Sequence, residues 1–578
     1  MSNTPNYDAK VKAILNATKP GERTCELLGE KWMMDEREIG WYKKFNVPPS
    51  RYSPTTRMKL IGAYFILFDI WYNKHADTGK PIISNIHPAT GIRVLPDEEW
   101  FGRDFTDRAL ELDLQKPFLE QLYRLSRLVP WAAGYNPVKP ERSIAFISFG
   151  DEDSYFVLAC RSKRCVYSIG AMDVEESAEL NVVNNAQLSY NVIHSDRIYQ
   201  CKFIRESRDC QSSSFLFDCR NCEYCFGATN QRNKKYLWFN EQLSKEEWER
   251  REAAVDLTSH VVRQEYEQKF RDLVRNAVWP ENFNINCPGC TGDYLTDCVD
   301  VKQGYAARGA RDGDYLNYSF GQSHDLYCAS GVADGSDCYY GLGFHNTSQS
   351  KFSLSITQRC LGVEYCVACY DCSYCFGCVG LQKKSFCILN KQYTEADYWK
   401  KVDELKCAML ERGEYGELAP AYFSTQHWPG SGATAVFGAT DKDAKKLQAS
   451  TFQASDAGAE GPAVDQAKIK SLEVVPDQLT PETLRDLVGV PFWDPAMGRR
   501  FSYLKPELEL YQKLGVAPPR RHPTGRIQDL YREMNRPVFF DTTCAKCSKS
   551  LRVSDNRAYP KRTIYCQPCY LRYLEERG

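Results

Sequence analysis

In the run CVACYDCSYCFGC a cysteine stands at every third position: Cys366, Cys369, Cys372, Cys375 and Cys378. That spacing allows a metal cluster, a disulfide scaffold, or a structural repeat in which cysteine occupies one recurring position. A second copy discriminates among them. Residues 222–242 (CEYCFGATNQRNKKYLWFNEQ) align without a gap to 372–392 (CSYCFGCVGLQKKSFCILNKQ), an offset of 150. Cys222 meets Cys372, Cys225 meets Cys375 and Asn240 meets Asn390, but Leu216 and Ala228 stand where the second copy has Cys366 and Cys378. A ligand set does not erode in this way between copies, whereas a small inward-facing position does. Metal at Cys366, Cys369, Cys372, Cys375 and Cys378 is kept as the secondary reading, because CxxC is ligand spacing.

A finer period lies inside each copy. Cysteine pairs 12 apart occur at 210/222, 360/372, 366/378 and 375/387, and aromatics recur at a similar interval (Tyr315, Tyr327, Tyr339, Phe352, Tyr365). A repeat of about 12 residues cannot bury its own apolar face, so coils stack. Gly, Asp, Asn and Ser supply the corners. Each copy then runs into a capping box, Ser244–Glu247 or Thr394–Asp397, which opens a covering helix.

The chain of 578 residues exceeds one core. The expected fold is mainly β: duplicated short-coil β-solenoid halves with capping helices, flanked by zinc-ribbon or treble-clef-like α+β modules. The expected domains are an N-terminal degenerate zinc-ribbon-like module (1–145), solenoid half A (146–283), solenoid half B (284–429), a Gly/Ala/Ser-rich linker (430–470) and a C-terminal basic zinc-ribbon module (471–578). The N-terminus has no secretory pattern and no apolar run long enough to span a bilayer, which predicts a cytoplasmic protein with reduced thiols.

At the C-terminus, CAKCSKSLRVSDNRAYPKRTIYCQPC places two CxxC pairs 18 residues apart. Cys544, Cys547, Cys566 and Cys569 are predicted to hold one structural Zn2+, since four thiolates leave no position for a catalytic water. Residues 42–58 align with 511–527 at an offset of 469, pairing Tyr42 with Tyr511 and Arg57 with Arg526. The same offset sets His75, Thr78, Asp97 and Trp100 against the four cysteines, and Cys25 stands alone opposite Leu28, Ser53 and Thr56. Metal is therefore not expected in the N-terminal copies.

Although the whole chain is balanced at −1, residues 491–578 carry 17 Lys+Arg against 9 Asp+Glu. Arg499, Arg500, Arg520, Arg521, Arg526, Arg532, Arg536, Lys561 and Arg562 are the candidate nucleic-acid-binding residues. No phosphate loop, nucleophile elbow or HExxH motif is present, so no catalytic residues and no small-molecule substrate are inferred.

The order of EREIGWYKKFNVPPSR, WFGRDF, NKKYLWFNEQLSKEEWE, TGDYLTDC, CSYCFGCVGLQKKSFCILNKQY, LELYQKLGVAPPRRHP and the final CxxC pairs resembles the cysteine-repeat, zinc-ribbon proteins frequent in candidate-phyla-radiation (Patescibacteria) and related ultra-small bacteria. The resemblance spans nearly the full length and implies an architecture, not an activity. In that family the N-terminal modules also carry CxxC pairs, which this chain has lost. Two functions are expected to compete: a non-catalytic factor that binds structured RNA or the ribosome through its zinc-ribbon modules, and a structural or assembly protein that meets a protein partner or itself through the solenoid.

Overall fold

A computed structural model describes residues 2–577 other than Ile356 and Leu479. More of the chain is strand than helix, and the two large sheets are parallel. The chain forms two compact units. Unit 1 comprises 1–133, 284–459 and 536–538; unit 2 comprises 134–283, 460–535 and 539–578. Each unit holds one copy of the duplicated cysteine-rich region.

Both copies are parallel stacks paired one repeat apart. In unit 2 the register runs Ala178, Tyr190, Lys202, Ser214, Phe226, Trp238, every step 12 residues. In unit 1, Leu361, Glu364, Val367 and Tyr370 each bridge the residue 12 positions later. Four bridges three residues apart mean that one repeat has four three-residue sides. The middle residue of each side turns the corner with a left-handed backbone, as Tyr365, Ala368, Asp371 and Tyr374 do at φ near 50°. The third residue points inward. The buried core of this stack is Cys360, Val363, Cys366, Cys369, Cys372, Cys375, Cys378, Leu381 and Cys387. The cysteine period of three is thus the inward position of each side.

Corners of this kind cost roughly 1–2 kcal/mol per non-glycine residue, and they leave one backbone donor unused. The bridging residue and the corner residue both place their N–H groups in the parallel ladder, as Glu364 (to Cys375 O, 3.0 Å) and Gly377 (to Glu364 O, 2.8 Å) show. The inward residue does not. Where the inward side chain one repeat earlier is polar, the inward residue's N–H donates to that side chain: Cys372 to Cys360 Sγ (3.4 Å), Cys201 to Ser189 Oγ (3.3 Å), Cys219 to Ser207 Oγ (3.0 Å). The same Sγ or Oγ donates to the carbonyl two residues back, as Cys360 does to Gln358 O (3.4 Å) and Ser189 to Gln187 O (2.9 Å). Cysteine and serine, standing in the interior among Val, Leu, Ile and Ala, therefore pair groups that the corners orphan.

Asparagine closes each end of both stacks. Asn136 and Asn284 accept the first inward N–H groups, from Ser148 (2.8 Å) and Leu295 (2.9 Å). At the far end Asn240 accepts from Thr229 N–H (2.9 Å) and Asn390 from Val379 N–H (2.8 Å), with Asn390 Nδ2 returning a bond to Val379 O (2.9 Å). A side-chain amide stands in for the peptide of the absent next repeat, which is why Asn240 and Asn390 align in the duplication.

Aromatics at the corners stack outside at one-repeat intervals, including Phe352–Tyr365 (4.7 Å), Tyr374–Phe386 (5.7 Å) and Phe203–Phe215 (4.6 Å). Helices cover these rows. In unit 2, Lys245–Ala253 and His260–Arg275 follow the stack, the first capped by Ser244 and the second setting Phe270 against Phe215 at 5.7 Å. In unit 1, Glu395–Glu411 is capped by Thr394. Gly377 also turns a corner there (φ 61°), and a Cβ on it would lie 2.2 Å from the Phe118 ring, so helix Phe118–Leu128 seats directly on the backbone.

The first part of the segment expected to be a linker is folded. Within 430–459, Ala433, Val436 and Phe437 are buried, and helix Gly432–Ala435 approaches Gly62 so closely that a Cβ there would meet Phe437 at 2.5 Å. Small residues permit this contact, so a Gly/Ala-rich composition marked close packing and not a free tether.

Two stability measurements test the corner account. Cys360 is 3 % exposed, yet Cys360→Ser should be tolerated better than the near-isosteric Cys360→Val. Valine strands the Cys372 N–H and should cost about 1–3 kcal/mol more in urea unfolding; a valine variant as stable as the serine variant would refute the pairing role. Asn390→Ala, which unpairs both Val379 groups, should likewise destabilise by about 1–3 kcal/mol.

Candidate metal centre and the placement of the basic residues

Cys544 and Cys547 lie on the turn before strand Ser550–Asn556, and Cys566 and Cys569 on the junction of strand Thr563–Tyr565 with helix Gln567–Arg577. Their four Sγ atoms all lie within 4.8 Å of one another, so the group could hold one metal ion, consistent with zinc. Cys547 and Cys566 Sγ are 3.6 Å apart. A tetrahedron with Zn–S near 2.3 Å has an edge of about 3.8 Å, whereas a disulfide requires about 2.05 Å. Burial pushes the Cys544 thiol up, but the N–H groups of Cys566, Cys547 and Lys546 outweigh it and take the thiol down to about 6. Arg572 Nη2 reaches Cys569 Sγ at 3.5 Å and offsets thiolate charge.

The inward thiols of the stacks are a different environment. Burial pushes Cys165, Cys201 and Cys338 up to about 12. Cys366, Cys369, Cys372, Cys375 and Cys378 are not among the described donor groups close enough to share an ion. Their sulfurs also bond to backbone carbonyls, for example Cys366 to Cys375 O (3.4 Å) and Cys372 to Tyr370 O (3.3 Å). The secondary metal reading at these five positions gains no support from the donor groups that lie close together.

The knuckle that carries Cys544 recurs twice in unit 1. Cys544 N–H donates to Lys549 O (2.8 Å) and Ser548 N–H returns to Cys544 O (2.9 Å); Cys25 with Glu30 and Gly29, and His75 with Lys80 and Gly79, make the same pair of bonds. A third bond fixes the register of the second ligand pair. Ala545 N–H donates to Ile564 O, Glu26 to Arg51 O and Ala76 to Val94 O. Counting forward from these carbonyls, Cys566 and Cys569 correspond to Ser53 and Thr56 in one module and to Pro96 and Glu99 in the other. The sequence offset placed Asp97 and Trp100 there, one residue too far, because the loop between the pairs differs in length.

Neither unit 1 module retains four ligands. Cys25 Sγ donates to Thr56 Oγ1 (3.3 Å), and both Ser53 and Thr56 donate to Glu30, so hydroxyl–carboxylate bonds occupy the metal's place. In the other, His75 Nε2 lies 3.3 Å from Glu99 Oε1, and Asp77 completes a three-donor group. Arg103 bonds Asp77 and comes within 3.6 Å of Glu99, supplying the positive charge.

The aligned segments 42–58 and 511–527 form a second recurring site, a buried arginine between a glutamate and a tyrosine. In unit 1, Arg57 Nη2 donates to Glu38 Oε1 (2.8 Å) and Tyr327 OH (2.9 Å), and Tyr42 OH also donates to Glu38. In unit 2, Arg526 Nη1 donates to Glu507 Oε1 (2.9 Å) and Tyr511 OH (2.8 Å), and Tyr167 OH donates to Glu507 Oε2 (2.8 Å). In each unit this cluster ties a helix pair to the face of a stack.

Most of the candidate nucleic-acid residues are therefore engaged inside the protein. Arg526 is buried as described; Arg499 pairs with Glu460 (2.8 Å) and Arg562 stacks on Trp279 (5.1 Å), both buried. Arg500 bonds Glu460 O (2.8 Å), Arg520 bonds Val475 O (2.6 Å), Arg521 pairs with Asp529 (2.5 Å), and Arg536 is half-buried. Arg532 and Lys561 are exposed. They do not form one exposed basic face. Among the described residues no helix is long and apolar enough to cross a membrane. No protein-family model matches the chain, and no curated protein is significantly similar to it.

Metal analysis of the purified chain should find one equivalent of zinc per chain. Cys566→Ser should lose it, while Cys25→Ser and His75→Ala should leave it unchanged; two or three equivalents would show that the unit 1 modules are loaded.

Proposed function

We propose that this chain is a non-catalytic scaffold: the two stacks are β-solenoids whose lateral faces receive a protein partner or a second copy, and the C-terminal zinc ribbon is structural. The observation that supports this reading is charge pairing along the stack surfaces. Exposed arginines meet carboxylates one repeat later, Arg161 with Asp173 (2.7 Å), Arg197 with Asp209 (2.5 Å) and Arg359 with Asp371 (2.6 Å). Such self-neutralised faces offer no free cationic stripe to a phosphate backbone, while their aromatic corners suit a protein contact. The asparagine ends disfavour strand-to-strand polymerisation, leaving the sides as the contact surface.

Association with structured RNA or the ribosome is the second reading, supported by the basic excess of 491–578 and the exposure of Arg532 and Lys561.

One experiment separates them: recovery of tagged full-length protein from lysate, with and without RNase, across a salt series. The scaffold reading expects a protein partner or self-association that RNase leaves intact and salt weakens little. Loss of all partners on RNase treatment, with a steep salt slope, would replace it by the RNA reading.

A further inference from the structure

Unit 2 contains a cavity of about 510 Å³ walled by helix His260–Arg275, helix Pro523–Glu533 and residues of the stack, among them Tyr190 and Phe203. Seven arginines line it against four carboxylates, and since Arg526 is also paired with Glu507 behind the wall and lies 3.7 Å from Glu179, an excess of two positive charges remains. The carboxylates are committed to particular guanidiniums: Glu533 to Arg205 (2.8 Å), Glu267 to Arg263 (3.0 Å), and Asp529 to both Arg521 (2.5 Å) and Arg532 (3.2 Å). Arg520 has only a carbonyl, Val475 O.

These pairs do not exhaust the donors. Arg520 Nε, Arg521 Nε and Arg526 Nη2 are buried and have no hydrogen-bond partner, although Arg526 is only 4 % exposed. A buried donor on a charged group is costly to leave unpaired, on the order of 1–3 kcal/mol or more; such donors occur also at Arg57 and Arg127, but these three belong to residues that wall one cavity. Burial also pushes the Glu267 and Asp529 carboxyls up, against the pull of Arg263 and Arg521. Beside the cations lie Tyr190, Phe203, Phe270 and Leu530, enough ring and aliphatic surface for an organic portion. A volume near 500 Å³ falls within the usual range of small-molecule sites, and planar guanidinium forks favour the several oxygens of a phosphate over a single acceptor.

We propose that this arginine-lined cavity binds a small phosphorylated ligand of about the size and charge of a nucleoside diphosphate, with Arg520, Arg521 and Arg526 donating to its phosphate oxygens. The site is independent of the scaffold reading and involves no covalent step.

Calorimetric titration of the full-length, zinc-loaded protein with ADP, pyrophosphate and adenosine tests it. ADP should bind more tightly than pyrophosphate, and adenosine should not bind. Arg520→Gln and Arg521→Gln, neither of which belongs to the buried Glu507–Arg526–Tyr511 cluster, should each weaken ADP about tenfold or more, the loss of one charge-assisted bond, with unfolding midpoint and zinc content unchanged. Arg520→Lys should fall between wild type and Arg520→Gln. Pyrophosphate binding as tight as ADP would retain the phosphate assignment and overturn the organic portion. No binding of ADP or pyrophosphate at about 1 mM, a level corresponding to only about −4 kcal/mol, would overturn the proposal. So would affinity that both glutamine variants leave unchanged, or an RNA oligonucleotide that binds there and that ADP cannot displace.

Discussion

The left-handed corner governs the structure of both stacks. Each three-residue side turns at its middle residue through a backbone conformation that ordinary side chains avoid, and each leaves an inward N–H outside the ladder. Every repeat must therefore supply an inward side chain that is small, packs in an apolar interior and still accepts one bond and donates another. Serine, threonine and cysteine meet that specification, as Ser207, Thr347 and Cys360 do. Cysteine has the larger apolar volume, and unit 1 uses it on consecutive sides from Cys366 to Cys378. Chemistry that in a convergent site would signal metal is here a solution to a backbone problem.

The same economy appears in the charges. Arg57 and Arg526 are removed from water and survive because a glutamate and a tyrosine pair them within each unit. Breaking such a cluster by removing one partner typically costs about 3–5 kcal/mol, since it leaves an uncompensated buried charge. On the stack faces, Arg161, Arg197 and Arg359 pair with carboxylates one repeat away. The wall of the unit 2 cavity differs from those faces in that cations outnumber carboxylates along it.

The three knuckles show one local fold maintained by different means. Their turn bonds are the same whether the first ligand position holds cysteine or histidine, so the turn itself does not depend on the metal. What differs is the charge at the centre. Four sulfurs call for a divalent ion, Glu30 is satisfied by hydroxyls, and Asp77 with Glu99 is satisfied by Arg103. A guanidinium or a hydrogen-bonded carboxylate replaces a metal when the surrounding packing already holds the module together.

The sequence by itself determined the duplication, the stacking at about 12 residues and the C-terminal group of four cysteines, because each depends on spacing along the chain. It also marked Asn240 and Asn390 as equivalent, though not why. Tertiary structure decided everything that depends on which groups meet across distant segments. Asn136 and Asn284 have no alignment partner that reveals their role as first-repeat acceptors. Glu99 in place of Asp97 required the Ala76–Val94 bond to set the register. The basic count of 491–578 was correct as arithmetic, but a count carries no information about burial. Arg526 went to Glu507, Arg499 to Glu460, and Arg520 and Arg521 to a cavity completed by Arg205, Arg263 and Arg271, which lie hundreds of residues earlier in the chain.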